Sequence, residues 1–225
     1  MKTLTQIYNF MAKIQIRQLV KRILSAYSEV ARFTLSDGTD IFVRRATATD
    51  SHQLLHMHNR LSSGSLYFRY LSPRRAKLDE LKQISNLNNS AGVAYVAQLD
   101  DFEKTVIGLA YYVRDNPKSG RVAEPAIVIE DRFQSKGFGT FFFKHLCKRA
   151  YAGNVKAFKV HVHPENHKML RVIDNMSYPS IKRIDSEVVT VTMDLSKITA
   201  RSRSRKWGFS LFEDCDLGLY NRHYR

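Results

Sequence analysis

A mixed α/β fold, with one central sheet and helices on both of its faces, is what this 225-residue sequence predicts, and two patterns carry the prediction. Five short runs rich in β-branched and aromatic residues, at 92–99, 104–113, 122–129, 157–163 and 188–195, are separated by clusters of Asp, Asn, Pro and Gly, as strands are. The first three runs follow one another directly. The last two alternate with helix-length segments at 137–151 and 165–175, an order that suits a mixed sheet covered on both sides.

The elements can be justified in order. Between residues 13 and 30, Ile16, Leu19, Ile23, Tyr27 and Val30 recur at intervals of three and four, with Arg17, Lys21 and Arg22 off the stripe; this predicts an amphipathic helix. Its apolar face is expected to dock on the domain or on a second copy of the chain, giving a homo-oligomer, with a membrane-surface role as the lesser alternative. Asp37-Gly38 between the apolar stretches 32–35 and 41–44 is a hairpin signal. Thr49-Asp50 is placed to cap a helix running to about Leu61, and Ser72-Pro73 to open another that continues to about Ile84, because proline suits a first helical position. After the first three runs comes the helical segment 137–151. Met169, Leu170, Val172 and Ile173 then have helical spacing, and a short strand is expected near Ile181. Past Lys197 the composition shifts to Arg201-Ser202-Arg203-Ser204-Arg205-Lys206 followed by Trp207 and Phe209, with neither period. The chain thus divides into a basic amphipathic helical extension (1–32), one globular domain (33–196) and a basic tail (197–225).

The formal net charge is +15, and its distribution is uneven. Residues 1–32 carry six Lys/Arg against Glu29 alone, and 197–225 carry seven against three acids, whereas 33–196 holds 23 basic and 17 acidic residues. A mildly basic domain with basic arms leaves no extended cationic groove, so nucleic acid is not the expected ligand. No run of about 18 apolar residues is present, and the N-terminus lacks an apolar signal core followed by a small-residue cleavage site; the expectation is a cytoplasmic protein with no transmembrane segment. The two cysteines, Cys147 and Cys215, form no metal-ligand pattern.

The most informative segment is 127–140, IVIEDRFQSKGFGT, where a strand ends, turns and opens a helix at glycines. The first N–H groups of a helix lack intrahelical partners and favour an anion. Gly137 and Gly139 carry no side chain to block a phosphate, Lys136 adds charge, and Ser135 and Thr140 add hydroxyls. By itself one G-x-G serves tight packing more often than ligand binding, and the dinucleotide fingerprint is excluded because Phe142 stands at its last glycine.

Gln134-x-x-Gly137-x-Gly139 resembles the pyrophosphate motif of the GNAT acetyltransferases, and residues 35–195 are similar to that family throughout, above all to the GNAT domain of bacterial protein-lysine acetyltransferases. That branch shows "DG…IRP", "LSPxSxYxRF" and "ENxPMLRxxxxxGF"; this chain has Asp37-Gly38 followed by Phe42-Val43-Arg44-Arg45, LSSGSLYFRYLSPRR from Leu61, and Glu165-Asn166-His167-Lys168-Met169-Leu170-Arg171. The resemblance implies the GNAT fold, a mostly antiparallel sheet splayed between its fourth and fifth strands, here 122–129 and 157–163. It implies acetyl-CoA as cosubstrate, held by Gln134, Ser135, Lys136, Gly137, Phe138, Gly139 and Thr140, with the pantetheine arm along Ile127, Val128 and Ile129 and a contact from Asn166. A strand N–H near Val128 would polarise the thioester carbonyl.

An acceptor amine with a pKa near about 10.4 must lose a proton before it attacks, so a base is needed. Glu124 matches the family's glutamate in that role; on composition alone it would be a solvated strand-end carboxylate, and Glu130 and Asp131 rank lower because they adjoin the phosphates. The family's thiolate-protonating Tyr is replaced by Ile173, and Gly-Phe by Ser177-Tyr178, with Tyr178 expected to pack. Pro125, directly after the proposed base, is placed to tilt its side chain. Cys147 reads as a core thiol and the histidines as surface or packing residues, so no metal is assigned. Direct transfer to an amine, a protein lysine or a small molecule, is the expected function. The alternative is a catalytically weak CoA-sensing or nucleic-acid-associated module, motivated by Ile173, Pro125 and the basic tail with Trp207.

Overall fold

The structure, a computed structural model, describes residues 30–116, 120–184 and 187–197. The predicted helix at 13–30, save Val30, and the tail beyond Lys197 lie outside the described residues. Eight strands form one sheet in the order β1-β2-β3-β4-β5-β6-β8-β7: β1 Ala31–Thr34, β2 Asp40–Arg45, β3 Gly92–Leu99, β4 Val106–Arg114, β5 Val122–Ile129, β6 Ala157–Val162, β7 Ser180–Ile184 and β8 Val189–Asp194. Every pairing is antiparallel except β5 with β6. The Asp37-Gly38 hairpin forms as expected, with Gly38 at φ 84 and the Leu35 N–H donating to the Thr39 carbonyl at 2.9 Å. The strand near Ile181 is β7.

Alternation along the strands divides the core into two layers. On one face Tyr95, Ala97, Tyr112, Ala123, Ile129, Phe158, Val160, Val162, Val191 and Met193 pack beneath α4 (Phe138–Ala152) and α5 (His167–Asp174), whose Phe138, Phe142, Phe143, Leu146 and Ile173 are buried. On the other, Ala94, Val96, Leu109 and Val128 pack beneath α1 (Ser51–Asn59), α2 (Ser63–Tyr70) and α3 (Leu78–Ser85).

The helix expected over 72–84 is not formed as such; Pro73 lies in a connection between α2 and α3. Local caps and tertiary contacts outweigh the proline signal. Ser62 accepts the Ser65 N–H at 3.2 Å to start α2, and Leu71 ends it in the left-handed region at φ 51. Arg74 then lies over the Tyr70 ring at 3.9 Å and makes two hydrogen bonds to Glu80 at 2.8 and 3.0 Å, which holds the connection open until Leu78.

His145 of α4 presents its ring to Tyr95 at 4.9 Å. Burial lowers its pKa from the usual 6.5 to about 4, and the Arg149 and Lys148 charges act in the same direction. The folded protein therefore keeps the ring neutral while the unfolded chain takes up a proton below pH 6.5. Stability is full above pH 6.5 and falls as pH drops toward about 4, by up to about 3 kcal/mol. In urea titrations across this window the His145→Phe variant is expected to lose less stability than the wild type; equal losses would refute the assignment.

Candidate active site

The sheet opens between β5 and β6. Only two rungs join them, Val122 with Ala157 and Ala123 with Phe158, although β5 continues for six more residues. The phase of the β4–β5 ladder shows which groups face the opening. The Asp115 N–H donates to the Val122 carbonyl at 3.2 Å and the Glu130 N–H to the Ile107 carbonyl at 2.8 Å, so even-numbered residues of β5 bond to β4 and odd-numbered ones turn toward β6. Lys156 and Ala157 accordingly donate to the Arg121 carbonyl. Pro125 is odd-numbered and has no N–H, so the next rung toward β6 lacks its donor. Beyond it, the N–H groups of Ile127 and Ile129 face the opening. Val128 bonds to Leu109 of β4 instead, so the expectation that an N–H near Val128 polarises a thioester carbonyl moves to its neighbours Ile127 and Ile129.

The loop after β5 is held by its own side chains. Glu130 is buried, its carboxylate paired with Arg60 at 2.8 Å and Arg132 at 2.6 Å. Asp131 accepts from the Ser62 N–H (2.9 Å), the Ser62 hydroxyl (2.7 Å) and the Ser65 hydroxyl (2.8 Å). Partial burial pushes its pKa up, but these hydrogen bonds prevail and hold it below the usual carboxylate range. Gln134 donates to the Ile129 carbonyl at 2.8 Å and the Ser65 hydroxyl at 3.1 Å and accepts from Lys168 at 2.9 Å, tying β5, α2 and α5 together. Arg60, Ser62 and Ser65 were not singled out from the sequence; the only signal was their place in or beside the segment LSSGSLYFRY.

Ser135 and Gly137 occupy left-handed backbone at φ 59 and φ 83, and the exposed Gly137 caps α4. A Cβ on Gly139 would lie 3.6 Å from both Ile129 and Val172, so α4 starts close against β5 and α5. Phe138 is fully buried and stacks on Phe142, which leaves only its backbone to the turn. The N–H groups of Phe138, Gly139 and Thr140 belong to the first turn of α4, where helices lack internal acceptors. Lys136 is paired with Asp37 at 3.5 Å, and the Asn166 side chain caps α5 by accepting the Met169 N–H at 3.1 Å. This glycine-started helix, with unblocked N–H groups beside an open strand edge, fits a pyrophosphate with an extended arm.

Glu124 is exposed and shares the Val128 face of the sheet, the side that carries α1 to α3. Among the described residues it has no ion pair, in contrast to Glu130. On the same face Tyr67 and Phe68 of α2 meet the His163 ring just after β6, at 5.4 and 5.7 Å, and so span the opening. Behind the opening, Ile173 is in the core, Tyr178 packs against it with burial raising its phenol pKa, and burial likewise pushes up the Cys147 thiol. His58 is buried with Nδ1 on the Leu54 carbonyl at 2.8 Å, and His52 and His56 are exposed.

Replacing Gly137 by Val forces a β-branched side chain to φ 83 and should weaken CoA binding by at least about tenfold in isothermal titration, since the turn must shift. Unchanged affinity would show that this turn is not the anion site.

Comparison with known proteins agrees with this geometry. The sequence matches the Acetyltransferase (GNAT) family over residues 57–178. The acetyltransferase Pat of Mycolicibacterium smegmatis is 24% identical over 184 residues, 80% of this chain and 54% of that protein, so the chain spans about half the length of this relative. The GNAT domain of S. lividans PAT has a TM-score of 0.67 at 23% identity, covering 74% of this chain and 97% of that one. Spermidine N-acetyltransferase from Vibrio cholerae, solved in complex with CoA and spermine, has a TM-score of 0.55 at 21% identity, covering 70% and 97%. At these identities the structural likeness carries the fold, and the family match, which runs from α1 past α5, carries the membership: the chain belongs to the GNAT acetyltransferase family.

Proposed function

We propose that the protein is an acetyl-CoA-dependent N-acetyltransferase that passes the acetyl group directly to an amine, with a protein lysine as acceptor. The observation that carries this reading is the juxtaposition of an unpaired strand edge, a glycine-started helix and an exposed carboxylate on one strand, β5. Bound acetyl-CoA would supply the activated thioester. The first-turn N–H groups of α4 and the turn at Ser135 to Gly137 hold the phosphates, and the edge of Ile127 and Ile129 pairs with the arm. One of those two N–H groups is the donor to the developing oxyanion. Glu124 takes the proton from the acceptor ammonium, directly or through a water, and no covalent enzyme intermediate is required.

Glu130 and Asp131 are excluded as bases on this reading, since salt bridges or three hydrogen bonds occupy their oxygens. A net charge of +15 disfavours polycationic acceptors, which supports a lysine over a polyamine. Among the described residues no helix is long and apolar enough to cross a membrane, and the reading places the reaction in the cytoplasm.

The Glu124→Gln variant should keep its affinity for acetyl-CoA and lose turnover on the order of 10²- to 10⁴-fold at neutral pH, with a smaller deficit at alkaline pH where the amine ionises unaided. Steady-state rates from pH 6 to about 10 test this. Full turnover of the variant at every pH would eliminate Glu124 as the base.

A further inference from the structure

The two halves of the Glu124 face differ. Over β2 to β5 it is roofed by α1, α2 and α3, but over β6, β8 and β7 it carries no described helix. The pairing registers identify what lies there. Phe158, Val160 and Val162 of β6 point into the core, so Lys159 and His161 point the other way. Opposite them on β8 stand Thr192 and Thr190, and opposite these on β7 stand Ile181 and Arg183. Lys159, His161, Thr192, Ile181 and Arg183 are all exposed, Ile181 at 69%. The Thr190 hydroxyl lies 3.2 Å from His161 Nδ1, and among the described residues no carboxylate pairs with Lys159, His161 or Arg183. The neighbouring Asp194 is taken up by Ser196 and Lys197.

This bare floor begins at Glu124. The last shared rung is Ala123 with Phe158, so the next positions are Glu124 on β5 and Lys159 on β6. Building on the acetyltransferase reading, we propose that the floor formed by Lys159, His161 and Arg183 selects acceptors, and that the substrate is a lysine on a protein surface flanked by carboxylates. An amine brought to Glu124 arrives beside the Lys159 ammonium, which repels a second positive charge, so polyamines and lysines in basic surroundings are disfavoured. Carboxylates flanking the target lysine would meet Lys159 and Arg183 and offset that repulsion. Ile181 adds apolar contact at the centre of the floor. A nucleic acid fits less well, because among the described residues the floor's one ring is the His161 imidazole, which lies against the Thr190 hydroxyl, while the nearby Tyr67 and Phe68 rings pack on His163.

The test uses the full chain with acetyl-CoA and three acceptors: a peptide whose lysine is flanked by Asp and Glu, the same peptide with Arg in those places, and spermidine. The acid-flanked peptide should have the highest kcat/KM, above the Arg-flanked one by on the order of tenfold, as one surface charge interaction gives, and the margin should shrink as salt rises. The double variant Lys159→Glu with Arg183→Glu should invert that order while leaving CoA affinity in isothermal titration unchanged; both side chains are exposed, so folding should be unaffected. Equal or better use of the Arg-flanked peptide or spermidine by the wild type would overturn the proposal, as would a preference that survives the double variant. So would a single-stranded oligonucleotide binding through the same two residues in the absence of any peptide preference. If none of the three is acetylated although CoA binds, the acetyltransferase reading fails and this proposal with it; if all three are acetylated equally, only the selectivity fails.

Discussion

The failure of β5 and β6 to zip together is the constraint on which the rest of this molecule turns. Two rungs join the strands and then the ladder stops at Pro125, whose ring nitrogen faces β6 and has nothing to donate. Each half of the sheet is continuous on its outer side, β5 with β4 over seven residues and β6 with β8 over six, so opening the seam exposes only the inner edges. Buried backbone polar groups need partners. The N–H groups of Ile127 and Ile129 thus retain the hydrogen-bonding capacity of an unfinished sheet edge, while the Ile129 carbonyl is taken by Gln134. The same proline that separates the strands follows Glu124 directly, which places the carboxylate at the apex of the opening.

An opening of this kind needs support on both faces, and the loop after β5 provides it. Glu130 reaches back to Arg60 at the end of α1, and Arg60 also donates to the Val106 carbonyl at 2.8 Å. Asp131 takes the start of α2, and Gln134 joins α2 to α5 across the loop. Only the Glu130 end of its pair with Arg60 is buried, so desolvation of the carboxylate offsets much of the attraction, whereas removing Arg60 would leave a buried charge short of a partner. Its effect is geometric: α1, α2 and α5 are fastened through neighbouring residues of one loop.

Charge is distributed to match. At the turn before α4, Lys136 is already engaged with Asp37, so any attraction for an anion there would rest mainly on backbone N–H groups and the start of α4. On the Glu124 face of β6, β8 and β7, Lys159 and Arg183 have no carboxylate partner among the described residues. The excess of positive charge in the whole sequence conceals this contrast, among the described residues, between a partly neutralised turn and a floor without carboxylates.

What the sequence alone determined was most of the strands and turns that local pattern encodes. Runs rich in β-branched and aromatic residues located β3 and β5 to the residue, Asp37-Gly38 located the hairpin, and the glycines after Gln134 located the start of α4, because each is decided by side chains within a few positions of one another. The glycine turn at 134–139 is likewise a local pattern, whereas Glu124 stood out only through the family resemblance. Tertiary structure alone decided the rest. Pro73 signalled a helix start, but Ser62, Leu71 and the contact of Arg74 with Tyr70 and Glu80 placed α2 and α3 elsewhere. Which N–H groups near Val128 face the opening, those of Ile127 and Ile129, follows from ladder phase, a choice set by β4 rather than by β5. Arg60 and Glu130 are 70 residues apart, and Lys159 and Arg183 share a face only because β8 lies between their strands. No local pattern encodes such meetings, since they arise from the order in which strands are laid into the sheet.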